Sequence, residues 1–101
     1  PKTTVVPKPV IVPPKLKRVR LKPDYPARYR QMEIEDSVVL KIVVDEEGNV
    51  TSVEVVTPSK HAEFNIAAKK AAMRDRYEPA TRNGIAVAYS FTFKYTFRLT
   101  D

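Results

Sequence analysis

The sequence predicts an α+β fold: a small antiparallel sheet in ββαβ order, one helix packed on a face, and a long C-terminal edge strand. Three observations carry this. Two valine-rich runs flank a glycine-bearing turn between residues 37 and 57. An alanine-rich stripe at helical spacing follows. Then Ile85 to Leu99 alternates without interruption, with Ile85, Val87, Tyr89, Phe91, Phe93, Tyr95, Phe97 and Leu99 large and apolar. Ala86, Ala88, Ser90, Thr92, Lys94, Thr96 and Arg98 between them are small or polar. Strict period two is the mark of a strand with one buried face.

In chain order, residues 1–14, "PKTTVVPKPVIVPP", hold five prolines. Proline fixes φ and restricts its predecessor, so this stretch favours an extended, polyproline-like, mobile backbone with no packable face. Residues 1–19 therefore read as the end of a stiff, largely disordered Pro/Lys linker and 20–101 as the domain. "LKRVRL", from Leu16, suits a short exposed strand, and "YPARYRQM" suits a helical turn starting at Pro26.

"SVVLKIVV" places Val38, Leu40, Ile42 and Val44 on one face, and "VTSVEVVT" follows the turn Asp45–Asn49, where Gly48 supplies positive φ. A loop this short makes an antiparallel hairpin. The helix then spans Ala62 to Tyr77, with Ser59 as N-cap, Phe64, Ala67, Ala68, Ala71 and Ala72 on one stripe, and Pro79 as terminator. Small alanines let it lie close to the sheet.

Charge is lopsided. Residues 1–30 carry nine Lys or Arg against Asp24 alone, whereas residues 31–101 carry nine basic and eleven acidic residues. A basic arm on a near-neutral domain is implied. There is no cysteine, which excludes disulfides and thiolate metal sites. No apolar run approaches the roughly 18–20 residues that span a bilayer. The chain does not begin with Met and reads as a piece of something longer, with room for an export signal upstream.

No catalytic constellation stands out. His61 is the sole histidine, at a helix start. Asp45, Glu46 and Glu47 lack calcium-loop spacing, and Glu33, Glu35 and Asp36 read as a solvated face. There is no phosphate loop and no nucleophile motif. The residues point to a binding module with no cofactor, not to an enzyme. A basic chain with an aromatic strand invites comparison with single-strand nucleic-acid binders. The stripe is, however, the one apolar face available to meet the helix, so it reads as core.

The ordered set of "YPARY", "DEEGNVTSVEVV", "AEFNIAAKKAAMRDRYEPA" and "NGIAVAYSFTFKYTF" resembles the C-terminal domain of TonB energy transducers, from about Arg20 to Leu99. The chain departs from the family pattern at Asp36, where glycine is usual, and at Asp75, where tryptophan is common.

The resemblance implies a periplasmic domain of a protein anchored in the inner membrane of a Gram-negative bacterium. It implies work with ExbB and ExbD on the proton-motive force, and contact with peptidoglycan. The domain would grip the Ton box of an outer-membrane receptor by strand addition to the last strand, driving import of siderophores, haem or cobalamin. The even positions Ala86 to Arg98 would then tune receptor choice. Arg20, Lys22, Asp24 and Arg28 match positions that touch the receptor. A TolA-like or other cell-envelope adaptor is the alternative reading, and both a monomer and a strand-exchanged dimer remain open.

Overall fold

The computed structural model describes residues 8–18, 20 and 22–99. Its centre is the expected hairpin: β3 (Asp36–Val44) and β4 (Val50–Thr57) pair antiparallel. Asp45 Oδ1 accepts the amides of Glu47 and Asn49, and Gly48 takes φ +87° to close the turn. Gly48 is fixed from outside too, because its carbonyl accepts the Tyr77 amide at 3.0 Å and a β-carbon on it would sit 1.8 Å from the Tyr77 carbonyl oxygen.

The helix α2 (Ala62–Met73) lies over β3 and β4. Phe64, Ala68, Ala71 and Ala72 are buried, as the stripe predicts, and Phe64 stacks on Phe97 with ring centres 4.4 Å apart. Val38, Leu40, Ile42 and Val44 complete the core from the sheet. Each such buried aliphatic side chain is worth about 1.5–3 kcal/mol of transfer free energy.

The helix is shorter than its pattern. It ends at Met73 with Arg74 as C-cap, and His61, not Ser59, is the N-cap. The chain turns away so that Asp75 can be buried and Tyr77–Glu78 can form a strand, β5. Ser59 is still used: its hydroxyl donates to Asp36 Oδ2 at 2.6 Å and accepts the His61 amide, while Asn65 closes the loop from inside the helix. The helical turn at Pro26 is α1 (Ala27–Gln31), which buries Tyr29 against Phe64.

Two features differ from the sequence reading. Within residues 1–19, read as largely disordered linker, two short strands form. Ile11–Val12 (β1) pairs antiparallel with Ala80–Arg82 (β6), and Lys15–Leu16 (β2) pairs with β5. Val10 and Asn83 exchange two further hydrogen bonds. The arm thus returns to edges whose main-chain groups were waiting for partners. Residues 1–7 of the expected linker, and Val19 and Leu21 of "LKRVRL", lie outside the described residues.

The long strand is also interrupted. Ile85–Val87 (β7) pairs with β6, whereas Tyr89–Phe97 (β8) pairs with β3, and Ala88 belongs to neither. The resulting sheets run β1-β6-β7, β2-β5 and β4-β3-β8. The burial of the alternating stripe is graded accordingly. Tyr95 and Phe97 are buried, Tyr89, Phe91 and Phe93 are half-buried, and Ile85 is 71% exposed.

Candidate functional site

Strand β8 is a sheet edge. With β3 in the middle of β4-β3-β8, β8 spends one side of its main chain on β3, and among the described residues no strand pairs with its other side. An antiparallel strand points successive residues' N–H and C=O groups to opposite sides, so one parity of β8 faces outward.

The second edge of this sheet, β4, has a different character. Its ladder with β3 shifts register twice, between Val39 and Leu40 and between Val43 and Val44. The ladder of β8 with β3 runs from Asp36↔Phe97 to Val44↔Tyr89 without a shift. Bulges twist an edge away from new partners, while a straight, unbulged edge is a template for another strand. By that criterion β8 is the receptive side.

Of the even positions, Ser90, Thr92, Lys94 and Thr96 stand exposed along one face of β8, with Arg98 just beyond it. Ala86 lies on β7 opposite Thr81, and Ala88 lies in the break. The seven residues are exposed but do not share one strand.

The four residues expected upstream separate into two pairs. Arg20 and Lys22 come to β8, lining a shallow cleft with Phe93, Lys94 and Thr96; Lys22 also borders a second cleft of about 430 Å³ with Thr96 and Arg98. Asp24 and Arg28 lie by the helix start. Asp24 borders a hollow with Glu63 and Lys70, and the exposed Arg28 guanidinium donates to Glu63 Oε1 at 2.6 Å and to the Tyr29 hydroxyl at 3.1 Å.

Arg20 is also tied into the fold. It donates from Nε to Asp75 Oδ2 at 3.1 Å and to the Tyr77 hydroxyl at 2.9 Å, and its guanidinium lies 3.7 Å from the centre of the Phe93 ring. Tyr95 donates to the same Asp75 oxygen. Burial is the first cause that holds the Tyr77 and Tyr95 phenols above their ordinary range, and the charge of Asp75 adds to it. Sequence reasoning met Asp75 only as an anomaly at an aromatic position. A lone acid after an alanine-rich helix was the available signal, but its partner is 55 residues away. Asp36 likewise proves to be a partner: hydrogen bonds from Ser59 and the Ser37 amide hold its carboxyl below the usual range.

Beside this cluster, Tyr89, Phe91 and Phe93 open into a cleft of about 650 Å³ closed by Pro13, Pro14, Leu16 and Tyr77. Among the described residues no group of three or more His, Cys, Asp or Glu could hold a metal. No described helix is long and apolar enough to cross a membrane.

Comparison with known proteins agrees with this architecture. Residues 22–99 match the family model "Gram-negative bacterial TonB protein C-terminal". Protein TonB of Escherichia coli (strain K12) is 33% identical over 75 residues, which is 74% of this chain and 31% of that protein. This chain therefore corresponds to under a third of that relative's length. The solution NMR structure of the Pseudomonas aeruginosa TonB C-terminal domain matches with a TM-score of 0.69 over 93% of this chain and 87% of that one, at 21% identity, a likeness of fold.

Proposed function

The chain belongs to the family of TonB C-terminal domains, and on that premise we propose that it binds the Ton box of an outer-membrane receptor as an added strand on β8. The observation that carries this is the nine-residue, shift-free ladder of β8 with β3, whose opposite side pairs with no strand among the described residues. Main-chain hydrogen bonds supply affinity, and side chains at alternate positions supply selectivity. Ser90, Thr92, Lys94 and Thr96 flank the incoming strand, and Arg98 and Lys22 add positive charge at its end. Arg28 and Asp24, by the helix start, form a second contact with the receptor. Ala86 and Ala88 extend the track beyond β8. Arg20 acts from within, by holding Phe93 and Tyr95 in place under the strand.

In this reading the domain works in the periplasm as the receptor end of an inner-membrane protein. There it couples ExbB, ExbD and the proton-motive force to import of a siderophore, haem or cobalamin, with peptidoglycan as a further contact. A pulled joint made of several main-chain hydrogen bonds shares load among them.

Hydrogen exchange tests the proposal. In the domain alone, amides of β8 should alternate between slow and fast, and a Ton-box peptide should slow the fast set while leaving α2 unchanged. Protection of β4 would place the site on the other edge. A folded domain that takes up no Ton-box peptide would move the reading to another cell-envelope adaptor.

A further inference from the structure

Opposite its buried stripe, α2 carries a second stripe left largely exposed by the described residues. Ile66, Lys69, Lys70 and Met73 follow one another at i, i+3, i+4 and i+7, the spacing that stacks side chains on one helix face. Ile66 is 55% and Met73 42% exposed. Arg74 and Arg76 complete a shallow apolar surface with these four. Arg18 reaches it as well, donating to the Arg74 carbonyl at 3.2 Å.

The charge on this surface itself is of one sign. Its lining holds four cations and no carboxylate. Of the acids nearby, Asp75 is buried on Arg20 and Glu63 is paired with Arg28, while Asp24 borders the adjoining hollow that shares Ile66 and Lys70. Arg76 donates to the carbonyls of Met73 and Asp75, which keeps its positive charge in place without cancelling it. Two outward apolar side chains within a ring of long cationic ones match a surface that offers phosphate charge at one depth and hydrocarbon just below it.

We propose that the exposed face of α2, Ile66 to Arg76, docks on an anionic lipid bilayer. The cations meet headgroup phosphates while Ile66 and Met73 enter the boundary region. Lys69, Lys70, Arg74 and Arg76 rim one open, shallow apolar surface, so their long side chains can reach a plane of headgroups together. Because α2 lies over β3 and β4, with β8 at the far edge of the sheet, the open strand stays accessible during docking. The inference rests on the helix surface alone and is independent of the receptor reading.

The test is vesicle flotation with the whole chain. Vesicles with one-third phosphatidylglycerol should retain the protein at low salt and release it as salt rises. Pure phosphatidylcholine vesicles should retain none. Lys69→Glu with Lys70→Glu should lower the bound fraction by about tenfold or more, since each basic residue near an anionic surface contributes substantially. Ile66→Ser with Met73→Ser should lower it several-fold at unchanged charge. Lys8→Glu with Arg82→Glu, of equal charge change but remote from the patch, should alter it less than twofold.

Equal losses in the two charge-reversed pairs would overturn the proposal, leaving net charge as the sole cause. So would a patch that binds an acidic peptide but no vesicle. If a reversed variant does not fold, amide shifts of the unmodified chain on phosphatidylglycerol bicelles decide: shifts confined to 66–76 support the site, and shifts elsewhere refute it.

Discussion

Arg20 holds the buried carboxylate of Asp75 at 3.1 Å while its guanidinium covers the Phe93 ring at 3.7 Å. One side chain from the arm thus neutralises the charge beneath the sheet and caps an aromatic residue of the candidate strand. Breaking a buried pair from one side leaves an uncompensated charge, which typically costs about 3–5 kcal/mol. Arg20→Ala should lose stability of that order. Arg20→Lys should lose less but still lose, because an ammonium cannot lie flat on the ring and fork to two partners. Urea unfolding midpoints of the two variants measure it, and a change below about 1 kcal/mol in Arg20→Ala would mean that Asp75 needs no counter-charge.

Asp36 makes the domain sensitive to acid. Its folded-state pKa lies below the ordinary 3.8, first because Ser59 donates to it and then because the Ser37 amide does. The resulting stabilisation is present above pH 3.8 and is lost as pH falls through the depressed folded value. Ser59→Ala should raise the Asp36 pKa and shrink the stability difference between pH 6 and pH 3. Carboxyl NMR titration combined with denaturation at both pH values checks the two effects together.

The two glycines should respond unequally to alanine. Both have positive φ, +87° at Gly48 and +81° at Gly84. At Gly84 a β-carbon meets nothing within 4 Å, so the cost is the backbone strain alone, about 1–2 kcal/mol. At Gly48 it strikes the Tyr77 carbonyl and must also part the turn from β5. Gly48→Ala should therefore lose at least about 3 kcal/mol, at the high end for single substitutions. Thermal unfolding of the pair gives the ranking, which equal losses would contradict.

Arg28→Glu should weaken receptor binding and spare the fold. The Arg28–Glu63 pair is solvent-exposed, 64% and 47% for the two side chains, and exposed pairs contribute little. Calorimetric titration against a receptor plug domain, beside a melting curve, separates the two properties. A cooperative loss of structure would make Arg28 a structural residue.

Much of this was legible from residue patterns. The hairpin and the buried face of α2 rest on periods of 2 and 3.6, which are local. The break at Ala88 was not legible, because a strand can change neighbours without changing the alternation of its side chains. Nor was the pairing of Ile11–Val12 and Lys15–Leu16, since two residues hold no period and proline suggests only an extended backbone; only Leu16 lies in a stretch that suits a strand. The helix end at Met73 follows from the burial of Asp75, and that depends on Arg20, far away in sequence. The edge itself could be suspected from the length of the alternating run. That β8 and not β4 is the unbulged edge needed the register of both ladders.

The short pairing of β1 with β6 acquires a meaning once tension is considered. Under the proposed strand addition, load arriving through the arm would enter β1 at its N-terminal end. Load held by β8 would leave β6 at its C-terminal end, through the turn at Asn83 and Gly84. Antiparallel alignment sets Ile11 opposite Arg82, so both forces act at the same end of the ladder. Hydrogen bonds loaded in this way open one after another, beginning with the Val10–Asn83 pair, whereas bonds along β8 are loaded side by side. The arm should yield first, as a sacrificial fastening whose release pays out residues 10–14, about 17 Å of extended chain, up to the β2–β5 pairing. Force spectroscopy should show that small extension at low force before the domain unravels, and Asn83→Ala should lower its threshold. On that reading the domain would meet a sudden pull with slack before its core bears the strain.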